Sequence, residues 1–191
     1  MTKRAGLWTL IACALFALGA SAPAQPLCIT LDPAKTKIMW TLGDVLHTVH
    51  GTFQMKEGRF TFDPATDVIS GEIVVDAASG DSGNNTRDKR MKRDILETGR
   101  YPDVRFVPRT LQGKVAENGT STVQVTGIFT IHGQPHEITV PLTVTISGSN
   151  VSVKGTFVVP YVAWGMKNPS TFVLRVNQTV DIEVNASGAT R

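Results

Sequence analysis

The sequence predicts an all-β domain, a barrel or a sandwich of about eight antiparallel strands, with a single helix set among them. Three observations carry this. Apolar residues recur at every second position along most of the chain, the spacing that places them on one face of a strand. The runs are separated by short Gly, Pro, Asn and Asp turns, which join successive strands as antiparallel neighbours. One stretch, residues 79–102, abandons the alternation altogether.

Taken in order, Ile38, Trp40 and Leu42 form the first clear run, and Phe60 and Phe62 follow Gly58. Ile69, Gly71, Ile73 and Val75 share a face opposite Ser70, Glu72 and Asp76, with the turn Asp63-Pro64-Ala65-Thr66 before them. Val104 and Phe106 alternate with Asp103 and Arg105. Val123, Val125, Gly127, Phe129 and Ile131 are followed across the turn His132-Gly133-Gln134-Pro135 by Ile138, Val140, Leu142, Val144 and Ile146. After Ser147-Gly148-Ser149-Asn150 come Val151, Val153, Gly155, Phe157 and Val159. The last run is the longest: Phe172, Leu174 and Val176, then Val180, Ile182 and Val184, with Gln178 in phase. Polar residues hold the alternate positions, so each strand turns one face to the core and one to water. Several of the strands are long, which favours a barrel with a deep interior over a sandwich, and closure also removes exposed strand edges.

The exceptional stretch opens as a Gly/Ser/Asn loop, continues with about a dozen good helix formers and ends near Gly99 and Tyr101-Pro102. Thr86 or Asn85 can cap its start, Gly99 suits the left-handed residue that follows a helix, and Pro102 bars a restart. Met91, Ile95 and Leu96 make one apolar stripe, and Arg87, Lys89, Arg90, Lys92 and Arg93 surround it with positive charge. Such a helix packs its stripe over one end of the barrel. The cations are either solvated or hold the anionic head of an amphiphile whose tail lies inside.

The first 24 residues read as a signal peptide. Lys3 and Arg4 form a basic start, residues 6–18 an apolar segment too short to span a bilayer, and Ala22-Pro23-Ala24 a small-residue cleavage site. A rival reading is acylation at Cys13, after Leu10-Ile11-Ala12, but the chain stays apolar beyond it. Cleavage near Ala24 leaves residues 25–191 as one domain, periplasmic or secreted. It leaves Cys28 as the single cysteine, so no intrachain disulfide can form, and Cys28 itself reads as a small apolar filler in preference to an exposed thiol. Removing Lys3 and Arg4 leaves 17 basic against 16 acidic residues. That balance gives no basis for nucleic-acid binding.

No catalytic signature is present: there is no nucleophile elbow, no phosphate loop, no CxxC and no paired-carboxylate pattern. His47, His50, His132 and His136 sit in two pairs whose spacing does not require convergence on a metal. Residues 159–172 join two strong strands by an aromatic, proline-bearing loop that includes Tyr161 and Trp164. That loop is either a stiff plug or a wall of a ligand site.

Together these residues resemble the YceI-like family of exported polyisoprenoid- and lipid-binding proteins. The resemblance runs from Ile29-Thr30-Leu31-Asp32-Pro33 through Val49-His50-Gly51-Thr52-Phe53 to the last strand. It is most specific at Ser82-Gly83-Asn84, Arg87-Asp88, Met91, and Tyr101-Pro102 before Val104-Arg105-Phe106, with Ile131-His132-Gly133 adding to it. It implies a lipocalin-like antiparallel β-barrel with the helix near its mouth, a long apolar ligand such as an isoprenoid lipid or quinone inside, and no catalytic residues or further cofactor. It also implies quinone traffic with a membrane-protein partner of the cytochrome b561 type, and a homodimer is compatible with it. The expected ligand wall is Trp40, Phe53, Phe60, Phe62, Phe106, Phe129, Phe157 and Phe172, with Met91 and Ile95 from the helix and Tyr161 and Trp164 from the loop. Arg87 or Arg90 would orient a head-group. The competing expectations are a metal-dependent or redox enzyme built on the histidines, and a fully packed stress-response barrel that binds nothing.

Overall fold

The computed structural model describes residues 26–43, 48–63, 66, 68–170 and 175–190. The signal-peptide segment, Cys13, His47 and Phe172 lie outside these.

Nine strands follow in chain order: β1 (Leu27–Leu31), β2 (Lys37–Gly43), β3 (Thr48–Asp63), β4 (Val68–Asp81), β5 (Asp103–Gln112), β6 (Gly119–Ile131), β7 (Gln134–Ser147), β8 (Asn150–Val159) and β9 (Val180–Thr190). Every pairing is antiparallel; from β2 to β9 each strand pairs with the next, and the sheet closes because β9 pairs back with β2. The nine strands fill eight positions. β1 and β2 lie end to end between β3 and β9, with Leu27–Thr30 facing the late part of β3 and Ile38–Gly43 its beginning. What separates them is a single 3-10 turn, Pro33–Lys35. Pro33 has no N–H to offer a ladder, and the Asp32 carboxylate accepts from the Ala34 N–H at 3.0 Å, so the chain bends and then resumes. The barrel expected from strand length is therefore the observed architecture.

Alternation has its expected consequence. On β6, Val123, Val125 and Phe129 are buried while Thr122 and Gln124 are exposed, and in register they meet Leu142, Val140 and His136 of β7. The outward faces carry threonine pairs such as Thr126–Thr139 (2.8 Å) and a charged group in which Arg105 reaches Glu72 and Asp103, both at 3.0 Å, and Lys56 reaches Asp103 at 2.7 Å. Asp103 is held below the usual carboxylate range chiefly by the Lys56 hydrogen bond, against its partial burial and with Arg105 assisting.

The helix forms within the expected stretch but not as expected in detail. Its α-helical part, α1, is Asn85–Arg90, and it continues as a π-helical turn over Met91–Ile95. The cap is Asn84, not Asn85 or Thr86: its side-chain oxygen accepts from the N–H groups of Thr86 and Arg87, both at 3.1 Å. The left-handed residue after the helix is Glu97 (φ 46°) rather than Gly99, and the Thr98 N–H closes the end on the Lys92 carbonyl at 2.9 Å. The π turn explains the odd spacing of the apolar stripe. In an α-helix Leu96 would stand one residue out of line with Met91. Here the Leu96 N–H bonds the Met91 carbonyl at 2.9 Å, five residues back, and both side chains face the barrel.

Two other expectations fail. The described part of the last run, Val176 to Val184, is not one strand. β9 starts at Val180, and Val176 and Asn177 lie in the preceding loop, where the Asn177 N–H bonds the Gly43 carbonyl at 2.9 Å. Cys28 is exposed on the outer face of β1 beside Thr61, not an apolar filler, because Leu27 and Ile29 take the inward positions.

Candidate functional site

Strand direction sorts the loops into two ends. At one end lie the segments 82–102, 132–133, 160–170 and 175–179, and therefore the helix; at the other lie 113–118 and 148–149. Between them runs one continuous cavity of about 700 Å³. Its far end is closed by small branched residues: Val123, Val125, Val144, Ile146 and Val151 pack as one buried cluster. Its middle is walled by Ile38, Met55, Phe60 and Ile73. At the helix end the lining becomes aromatic and sulfur-bearing, with Phe53, Phe106, Phe129, Phe157, Met91 and Met166. Polar lining groups concentrate at this mouth, where Asn84, Thr86, Arg87, Arg90, Asp94 and Lys167 reach the cavity.

Of the expected wall, Trp40, Phe53, Phe60, Phe62, Phe106, Phe129, Phe157, Met91, Ile95 and Tyr161 all line the cavity, as do Arg87 and Arg90. Trp164 does not. Its indole lies flat on the His136 ring, centroids 3.9 Å apart and planes 6° apart, and touches the ring of Phe129 at 5.9 Å. The loop after β8 thus presents Tyr161 and Met166 to the interior and keeps Trp164 for its own anchorage. Tyr161 is itself fixed, its hydroxyl donating to the Asn177 carbonyl at 2.7 Å; burial raises the pKa of the phenol.

Two of the four mouth charges are held and two are not. Arg87 is braced by Ser82, donating from Nε to the Ser82 Oγ at 2.7 Å and from Nη2 to the Ser82 carbonyl at 2.8 Å. Ser82 in turn donates its hydroxyl and its N–H to Asp88. Asp88 is 6% exposed, and burial alone would raise its pKa. The two Ser82 hydrogen bonds, with the charges of Lys92 and Arg87, outweigh this and hold it below the ordinary value. Asp94 is chelated by Arg93 through Nε and Nη2, at 2.7 and 2.8 Å. That bond lowers its pKa, partial burial opposes, and the charges of Arg93, Lys167 and Arg90 add to the lowering. Arg90 and Lys167 have no ion-pair partner among the described residues. The mouth therefore offers uncompensated positive charge around an apolar opening.

Sequence reasoning missed Asp94 and Lys167, which reach the mouth from different segments, and it passed over the aliphatic lining. Among the described residues, no three His, Cys, Asp or Glu side chains come together in a geometry that could hold a metal ion. His50 lies on the outer wall beside Thr41 (3.0 Å), His132 faces Glu97 (3.3 Å), and His136 is under Trp164.

A closed antiparallel barrel around a deep, largely apolar cavity supports a ligand-binding role. The YceI-like domain model matches residues 29–187, and the chain belongs to that family. It is 30% identical over 149 residues to a UPF0312 protein of Pseudomonas putida and 28% identical over 148 residues to one of Pseudomonas syringae pv. syringae, covering 73% of both chains in each case. Its fold is shared with BcnA of Burkholderia cenocepacia, at a TM-score of 0.66 and 23% identity over 82% of this chain and 98% of that one. A polyisoprenoid binding domain from Saccharophagus degradans superposes with a TM-score of 0.64 at 16% identity, covering 85% of this chain and 98% of that one.

Proposed function

We propose that this chain is an exported, non-catalytic carrier that holds one long-chain isoprenoid, isoprenoid quinone or similar amphiphile in its barrel, tail inward and head at the helix end. The observation that carries the proposal is the continuity of the cavity, about 700 Å³ from a charged mouth to a closed floor of valine and isoleucine. Such a space suits a tail without polar groups, because each buried methylene contributes roughly 0.8 kcal/mol. The family and the polyisoprenoid binding domain of similar fold support a binding role. Tyr161, Met166, Met91 and Ile95 close around the neck of the tail; Arg90 and Lys167 lie level with its head.

The test is mass spectrometry of an organic extract of the protein purified from its native host, with the intact mass of the same preparation read alongside. One long-chain lipid near one-to-one stoichiometry is expected, on a polypeptide beginning close to Gln25. An extract free of lipid from folded protein would refute the carrier; a polypeptide that keeps residues 1–24 would refute export.

A further inference from the structure

The charges of this protein are not evenly spread. Among the described residues, the segments at the helix end carry eight Lys and Arg against three Asp and Glu, whereas the others carry eight against eleven. A nearly neutral chain is thus a polar body, with its positive end at the cavity mouth. The acids at that end do little to cancel it: Asp88 is buried against Ser82, Asp94 is taken by Arg93, and Glu97 faces His132. Lys89 and Arg100 stand exposed, and with Lys92 and Arg93 they line a shallow concavity beside the helix that holds four cations against one acid, Glu97. Arg175 is exposed on the loop that carries Lys167. Cations therefore lie on both sides of the helix: Arg87 and Arg90 toward the cavity, Lys89, Lys92 and Arg100 toward the exterior. A head-group inside the mouth can engage only the first set. The second set faces solvent and is open to a separate anionic partner, one broad enough to meet the whole end of the barrel.

We infer that the helix end docks on an anionic phospholipid bilayer, mouth toward the lipid, with Lys89, Lys92 and Arg100 as its electrostatic contacts. Charge complementarity selects this occupant, since a surface dense in phosphate attracts clustered Lys and Arg and repels the net acidic remainder of the barrel. The same attraction orients the molecule, so that the opening rather than the closed floor faces the membrane. The inference extends the carrier reading, but it is tested separately from it.

The experiment is co-sedimentation of the full chain with vesicles of phosphatidylcholine alone, or mixed with phosphatidylglycerol. It is run at low and high salt and repeated for the triple variant Lys89→Gln/Lys92→Gln/Arg100→Gln. A control variant, Lys37→Gln/Arg59→Gln/Lys154→Gln, removes three exposed cations from the barrel wall. Binding is expected to the anionic vesicles only and to fall with salt as the charges are screened. Each basic residue near an anionic surface is worth about fivefold in affinity, so the helix variant should bind about a hundredfold more weakly. The wall variant should change little. Both variants should still take up a soluble fluorescent fatty-acid probe like the unmodified protein, which also shows that they fold. No preference for anionic vesicles, or equal loss in the two variants, would overturn the docking inference. Loss of probe uptake by the unmodified protein would instead count against the carrier.

Discussion

Substituting Val144 with Phe tests whether the tail reaches the floor of the barrel. Val144 lines the cavity within the buried cluster at its closed end, far from the helix. Phenylalanine brings four more side-chain carbons than valine, and at that position they project into space the cavity already holds. The floor rises by about four methylene equivalents. At roughly 0.8 kcal/mol for each methylene denied burial, a ligand that fills the wild-type cavity loses about 3 kcal/mol, on the order of a hundredfold in affinity. A ligand shorter by about four carbons loses nothing. The assay is competitive displacement of a fluorescent probe by a homologous series of alkyl-chain ligands. Affinity should climb with length in both proteins and level off about four carbons sooner in the variant. A common plateau length, or an equal loss at every length with unchanged thermal stability, would refute the placement of the tail.

Three further outcomes are expected. Ser82→Ala removes the hydroxyl that bonds both Asp88 and Arg87, leaving a buried carboxylate short of a donor; thermal denaturation should show a loss of about 2 kcal/mol, roughly 4–8 °C for a chain of this size. Burial lowers the pKa of His136 from 6.5, and its Nε2 has no hydrogen-bond partner among the described residues. A lowered folded-state pKa means the unfolded chain takes the proton first, so stability should be complete above about pH 6.5 and fall as the pH drops through the folded value, a slope that denaturant melts of His136→Gln should lack. Gly51→Ala should destabilise by about 1–3 kcal/mol in the same melts, because the new Cβ would lie 2.3 Å from the Trp40 indole and 2.5 Å from the Asp81 carbonyl oxygen, a backbone atom that cannot turn aside.

Alternation is a local property, so the strands, their inward faces and the antiparallel order were legible in the chain. The single helix was legible because it broke that pattern. Its details were not. The cap fell on Asn84 because the choice among Asn84, Asn85 and Thr86 depends on the angle at which the chain leaves β4. The left-handed position fell on Glu97 because the π turn ends the helix before Gly99 is reached. Residues 175–179 keep strand phase without pairing as part of β9, a distinction set by the loop folding back on Gly43.

For the site, aromatic residues were a good but biased guide. In a closed barrel every inward position lines the same cavity, so Val123 and Val144 have as much claim to it as Phe129. The Trp164–His136 stack and the shared place of Asp94 and Lys167 at the cavity mouth join segments remote in sequence, and no spacing rule reports them.

The split between β1 and β2 also governs how the molecule assembles. Both pieces need β9 as their second neighbour, with Leu31 opposite Gly188 and Ile38 opposite Val184. The ring is thus sealed by pairing the earliest strands with the latest, the most distant contact the topology allows. A chain emerging in order can zip hairpins from β2 to β8 but has no means of closure until β9 arrives. Until then the intermediate is an open, curved sheet with two unsatisfied rims and an exposed greasy lining, a state that attracts chaperones and other copies of itself. Completion is all-or-none, and a truncation that removes only β9 should leave an aggregating species instead of a smaller barrel.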